Sequence, residues 1–172
     1  MENEQFITSK GLVVIKGDLI KAYVNDDVSE IGHGVNCHFV GAGFAALLEE
    51  AIYEKHGVNC YTQFRNERHI VGEVVDQPIF SDVIFHMVTQ PQPGPYARLD
   101  AIETCLRKII LNRYVSSINI PFIGGGIGGL PADKVLMLLN KMASEFKENQ
   151  KCLVLWLLPE FYNTAKLFYK VK

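Results

Sequence analysis

The sequence predicts an α/β protein in which a mixed, mainly parallel sheet of about six or seven strands lies between two layers of helix. Three observations carry this. Short apolar, β-branched runs alternate along the chain with amphipathic segments of helical period, an order that favours parallel strands joined by helical crossovers. One late run, residues 152–158, is apolar throughout, as suits a strand buried on both faces. The chain has 172 residues and is 48% hydrophobic, enough for one domain with a sizeable core and little room for a second.

Taken in order, residues 6–8 and 12–15 read as two strands joined by a turn at Lys10-Gly11. Asp18 follows the second. An acid just past a strand end sits where ligands of α/β sheets lie, or it caps the turn at residues 19–22, and both readings stand. Residues 31–37 form the next strand. Gly41-Ala42-Gly43 then leads into a helix whose apolar face is Phe44, Leu47, Leu48, Ala51 and Ile52, with Gly57 as its C-cap. Residues 58–68 lack a clean period and read as loop with some helix. Residues 70–75 and 83–88 are strand-like, separated by Asp76-Gln77-Pro78, and residues 89–95 form a stiff, proline-rich loop. A helix carrying Leu99, Ile102, Leu106, Ile109 and Ile110 on one face feeds the strand that begins at Ser117. Helices over residues 133–147 and 160–169 flank the strand at 152–158.

The most informative stretch is residues 117–130. An apolar run ends in five glycines out of six residues, Gly124 to Gly129 with Ile127 between them, and Pro131 then opens a helix. Backbone amides at the positive end of a helix dipole suit an anion, usually a phosphate. The alternative, a tight structural turn, needs fewer glycines. Gly41 and Gly43 form a second such cradle, and two loops together can hold a diphosphate from both sides.

Other chemistries lack their residues. A net charge of −2 argues against non-specific nucleic-acid binding. Four widely spaced cysteines with no C-x-x-C pattern, and an N-terminus without a signal peptide, read as reduced thiols in a cytoplasmic protein. No apolar run is long enough for a bilayer, so membrane attachment is not expected. His33, His38, His56, His69 and His86 show no metal-ligand spacing, and neither metal nor cofactor is expected. A G-x-S-x-G elbow and a P-loop lysine are both missing. Gly124, Gly126 and Gly129 formally satisfy G-x-G-x-x-G, as do Gly41, Gly43 and Ala46 its G/A variant, but the first comes too late in the chain and the second lies several residues beyond its strand. A Rossmann-type NAD-dependent oxidoreductase is therefore the remote alternative.

The order Gly17-Asp18-Leu19, His33-Gly34-Val35-Asn36-Cys37, Gly41-Ala42-Gly43-Phe44-Ala45 and then Ile120-Pro121-Phe122-Ile123-Gly124-Gly125-Gly126-Ile127-Gly128-Gly129-Leu130 resembles the macro domain family. Within it, the nearest likeness is to the branch of ADP-ribose-1''-phosphate phosphatases and terminal ADP-ribose protein glycohydrolases. The resemblance implies a three-layer α/β/α fold that binds ADP-ribose, either free, phosphorylated or protein-linked. Asp18 would accept from the adenine amino group and the Leu19 amide would read the ring. Gly41, Ala42, Gly43, Phe44 and Ala45 would wrap the distal ribose and one phosphate. Gly124, Gly125, Gly126 and Ile127 would cradle the diphosphate, with the helix near Pro131 aimed at it. Gly128, Gly129 and Leu130 would border the distal ribose. Phe161 or Tyr162 would flank the adenine unless either is core. Thr89, Gln90 and Ile123 complete the implied ligand-binding set.

The resemblance separates binding from catalysis. Gln90 stands where the glycohydrolase has its lysine nucleophile, and Gly128 where it has an acid, so the covalent-lysine mechanism is not expected. His33 aligns with a histidine of the phosphatase, where it would position water or a leaving phosphate, unless it is a core residue. Asn36 aligns with an asparagine that would bond the distal ribose, unless it satisfies the loop backbone. An ADP-ribose binder is the first expectation. A hydrolase acting on ADP-ribose-1''-phosphate or an ADP-ribosyl ester is the second.

Overall fold

The computed structural model describes residues 3–171. Its strands are β1 (Gln5–Ile7), β2 (Val13–Lys16), β3 (Glu30–Asn36), β4 (Val74–Ile79), β5 (Asp82–Gln90), β6 (Ser117–Ile120) and β7 (Cys152–Leu157). Its helices are α1 (Leu19–Val24), α2 (Phe44–His56), α3 (Leu99–Ile110), α4 (Ala132–Glu148) and α5 (Pro159–Phe168). The strands form one sheet in the order β1-β2-β7-β6-β3-β5-β4. The five from β2 to β5 are mutually parallel, and the edges β1 and β4 run antiparallel to their neighbours.

Apolar side chains fill both faces of this sheet. On one face Val14, Phe85, Met87, Ile118, Ile120, Leu153 and Leu155 pack under α3, α4 and α5. On the other, Ile31, Val35, Ile84, Val88 and Trp156 pack under α1, α2 and the turns at residues 58–67. Gly57 ends α2 in the left-handed conformation at φ +68°, as its place after the periodic run requires. Among the described residues no helix is long and apolar enough to cross a membrane.

Three elements differ from the sequence reading, and the turn expected at residues 19–22 is the helix α1. The fourth strand is β4, Val74–Ile79, so Asp76-Gln77-Pro78 lies inside a strand and the turn falls at Phe80-Ser81. Proline breaks a central strand, but β4 is an edge, where the missing amide faces no neighbour. Gln77 and Ile79 are buried while Asp76 and Pro78 are exposed, the alternation of a half-covered strand. Residues 58–68 form turns and no helix.

The parallel strands all end along one side of the sheet. After β3 the chain crosses to α2 on one face, and after the adjacent β6 it crosses to α4 on the other. The two connections diverge there and leave a crevice, the usual ligand position in α/β sheets. The strand order differs from the 3-2-1-4-5-6 of a Rossmann sheet, and G-x-G-x-x-G follows the sixth strand rather than the first.

Candidate functional site

The crevice holds a cavity of about 140 Å³ between the loop after β3 and the loop after β6. Of the residues singled out from the sequence, Asn36, Ala42, Gly43, Phe44, Ala45, Thr89, Gln90, Ile123, Gly124, Gly126, Ile127 and Gly128 line it. The loops touch across it: a Cβ added to Gly43 would lie 2.9 Å from Ile127 Cδ1.

Both loops present unpaired amides. In the loop after β6, Ile123, Gly125, Gly129 and Leu130 donate to nearby carbonyls. The amides of Gly124, Gly126, Ile127 and Gly128 have no acceptor among the described residues, and these four line the cavity. Opposite them, Gly43 is the N-cap of α2 and offers no side chain, so the first-turn amides of Phe44 and Ala45 are uncapped. A helix N-terminus of this kind carries partial positive charge. The helix aimed at the cavity is thus α2. The expectation that the helix after Pro131 serves is corrected, because neither Pro131 nor any α4 residue lines the cavity.

The glycines of the β6 loop divide by role. Only Gly126 faces open space, with nothing within 4 Å of an added Cβ. At Gly128 a Cβ would sit 2.7 Å from Ala97 Cβ, and at Gly129 2.6 Å from Pro95 Cβ. At Gly125 a Cβ would meet the Phe122 ring, 2.4 Å from its Cε1. Gly124 needs its φ of +75°, and a Cβ there would meet Leu130 at 2.7 Å. Gly125, Gly129 and Leu130 therefore shape the loop without lining the cavity. Gly41 does likewise in the first loop, packed on Ala46 and Glu49 of α2.

Asn36 lines the cavity and braces the loop above it. Its Oδ1 accepts from the amides of His38 and Val40 at 3.0 and 3.4 Å, and its Nδ2 donates to the Val40 carbonyl at 2.8 Å. Asp18 does cap α1, accepting from the amides of Ile20 and Lys21 through Oδ1 at 2.9 and 3.3 Å. Its Oδ2 and the Leu19 amide have no partner among the described residues. Asp18 and Leu19 follow β2 and lie outside the cavity proper.

His33 does not reach the cavity. Strand side chains alternate between faces: Gly34 faces the cavity, whereas His33 is fully buried against Tyr61 and Phe44. Gln77 Nε2 donates to the Cys60 carbonyl, so its Oε1 accepts from His86 Nε2 at 2.7 Å. That network assigns His33 Nε2 as the donor to His86 Nδ1, also at 2.7 Å, and leaves His33 Nδ1 an unpartnered acceptor. Burial lowers the His33 pKa to about 3 and that of His86 well below its ordinary value, so both rings stay neutral. A ring without exposure touches no ligand, and the direct catalytic role expected for His33 gives way to a place in the core.

Tyr162 is likewise core, its ring centroid 5.4 Å from that of Phe6. Phe161 is 42% exposed and its ring lies 5.7 Å from that of Phe122. Phe122 lines the cavity, as do Gly34, Val35, Val40, Pro93, Gly94 and Pro121, none of which the sequence reading chose. Two of these had a signal: Phe122 is an aromatic directly before a glycine loop, and Pro93 belongs to the stiff loop after β5. No acidic, basic or histidine side chain lines the cavity. Burial also raises the pKa of the Cys37 thiol at the start of the first loop.

No family model matches the chain. An uncharacterised 17.5 kDa protein from the tk-vs intergenic region of Enterobacteria phage T4 is 28% identical over 142 residues, covering 77% of this chain and 90% of that protein. Among solved structures, Thermosipho africanus DarTG in complex with ADP-ribose superposes with a TM-score of 0.71 at 16% identity over 96% of this chain. This chain spans only 47% of that one, about half its length. The Oceanobacillus iheyensis macrodomain with ADP superposes with a TM-score of 0.66 at 18% identity, covering 98% of this chain and 95% of that chain. The likeness is one of fold, and the fold is that of a macrodomain.

Proposed function

We propose that this macrodomain-fold protein binds ADP-ribose or a close derivative, with the diphosphate held between the two glycine loops. The observation that carries the reading is the pair of opposed amide runs, Gly124 and Gly126 to Gly128 on one side, Phe44 and Ala45 on the other. Such a cradle neutralises a diphosphate with backbone dipoles alone.

The order of the strands supports the rest of the ligand. Asp18 follows β2, Phe161 lies in α5 just after β7, the glycine loops follow β6 and β3, and Gln90 ends β5. Those strands are consecutive in the sheet, so the span from Asp18 to Gln90 is four strand spacings, about 19 Å. An extended nucleoside diphosphate sugar fits that span with its base at Asp18 and its terminal ribose at Gln90. The free Asp18 Oδ2 and Leu19 amide match the donor and acceptor on the edge of adenine, and the exposed Phe161 ring offers a flat face beside them. The ADP-ribose and ADP in the two macrodomain-fold structures support the same ligand class.

Binding is the favoured activity. With no acid, base or activated nucleophile on the cavity wall, hydrolysis of ADP-ribose-1''-phosphate or an ADP-ribosyl ester would fall to a water oriented by the ligand's own phosphates. Calorimetric titration with ADP-ribose and with NADH tests the reading. ADP-ribose is expected to bind and NADH to bind far more weakly; tight NADH binding without ADP-ribose binding overturns it. Asp18→Ala should cost about 1.5–3 kcal/mol of ADP-ribose affinity, the worth of a hydrogen bond to a charged group. Asp18→Asn, an equally good N-cap, should keep stability while losing affinity. Full affinity in both variants would move the base elsewhere.

A further inference from the structure

We infer that Gln90 selects the far end of the ligand, admitting a terminal ribose that offers a hydrogen-bond donor and disfavouring one that carries a phosphate ester. This rests on the ADP-ribose reading above and names the chemistry that the same site accepts.

Gln90 closes β5 and joins three walls of the cavity. Its carbonyl accepts from the Cys37 amide at 3.1 Å, tying it to the start of the first glycine loop. Its Nε2 donates to the carbonyls of Gln92 at 2.7 Å and Gly94 at 2.9 Å, which folds the proline-rich loop back over the strand end. Both Nε2 hydrogens are thereby used. Turning the amide over would set Oε1 against two carbonyl oxygens, so the orientation is chemically determined. Oε1 is then the one polar side-chain atom of Gln90 without a partner among the described residues, and it accepts only.

The neighbourhood reinforces that polarity. Beside Gln90 the cavity is lined by Pro93, Gly94 and Thr89, and none of its lining residues is a cation. The amides that neutralise a diphosphate belong to the glycine loops. A further phosphate at the terminal ribose would meet the lone pairs of Oε1 with no positive charge to offset the repulsion. A hydroxyl, or the N–H of a glycosidic amide, would meet a matched acceptor.

Titration of ADP, ADP-ribose and ADP-ribose-1''-phosphate against the intact protein and Gln90→Met tests this. The wild type should bind ADP-ribose about tenfold more tightly than its 1''-phosphate. Gln90→Met should lower ADP-ribose affinity by about three- to tenfold, the worth of one ordinary hydrogen bond, and ADP affinity by much less. Equal wild-type affinity for ADP-ribose and the 1''-phosphate overturns the inference and needs no variant to be folded. A proportional loss for ADP and ADP-ribose also overturns it, because that is the signature of a loosened loop at residues 91–95 and nothing more. Wild-type protein that binds neither ADP nor ADP-ribose instead overturns the proposed function itself.

Discussion

The loop after β6 is held in shape by apolar crowding, whereas the loop after β3 is held by one polar side chain. In the former, Gly124, Gly125, Gly128 and Gly129 are small because Leu130, Phe122, Ala97 and Pro95 press against them, and Ala97 donates its amide to the Gly128 carbonyl. In the latter, one buried side chain, Asn36, ties down His38 and Val40, and Gly43 hands over to the start of a helix. Both arrangements leave amides pointing at the same cavity. A run of glycines therefore measures how crowded a loop is as much as how much ligand it touches.

The sharpest way to break this comparison is within a single loop. Gly126→Val places a branched side chain in open space on the cavity wall, at a backbone conformation any residue adopts. It should reduce ADP-ribose affinity by more than about 100-fold in titration with the thermal midpoint unchanged. Gly128→Val, two residues on, should instead cost about 1–3 kcal/mol of folding stability through overpacking against Ala97 and Gly124. If both variants behave alike, the distinction between the open side of Gly126 and the packed side of Gly128 is wrong. A smaller effect is expected from Asn36→Ala, which removes the internal brace of the other loop. Denaturant unfolding should show a loss of about 1–3 kcal/mol, with a few-fold weaker ligand affinity. Unaltered stability would mean that α2 alone holds that loop.

At neutral pH the buried histidines change nothing, and their effect shows only on acidification. The folded protein keeps His33 neutral down to about pH 3, while an unfolded histidine takes its proton near pH 6.5. Between those values the unfolded state binds more protons, so stability is full above about pH 6.5 and falls as the pH drops toward 3, by up to about 1.4 kcal/mol per pH unit for that ring. His86, lowered by burial and by its histidine neighbours, adds to the same slope. His33→Gln should flatten the acid limb of a stability–pH curve without changing ADP-ribose affinity at neutral pH. An unchanged slope would place the acid sensitivity in other groups.

Most of the fold was legible because local signals agreed with it. The apolar period of α3, the C-cap Gly57 and the unbroken run of β7 each left little choice. β4 was misplaced because Pro78 reads as a breaker until the strand is known to be an edge. The two glycine loops that line the cavity were legible, since exposed backbone amides need only glycines and a strand end to be anticipated. It was not legible which glycines have an open side, because Ala97 and Pro95 reach Gly128 and Gly129 across 30 or so residues of intervening chain. His33 stayed open between site and core for a related reason: which face of β3 meets the cavity is set by its pairing with β5 and β6, and the ring lies in the core.

The sheet order also bears on how the protein comes into being during synthesis. β7 comes last in chain order among the seven described strands, yet it lies between β2 and β6. Until residues 152–157 have emerged, the β1-β2 hairpin with Asp18 has no edge on which to join the strands that carry the two glycine loops. A nascent chain that has already produced both glycine loops still lacks the fixed distance between them and Asp18. If the protein binds a nucleotide as proposed, that ligand recognises the sheet only with β7 in place and offers no help to a chain in which β7 has yet to form.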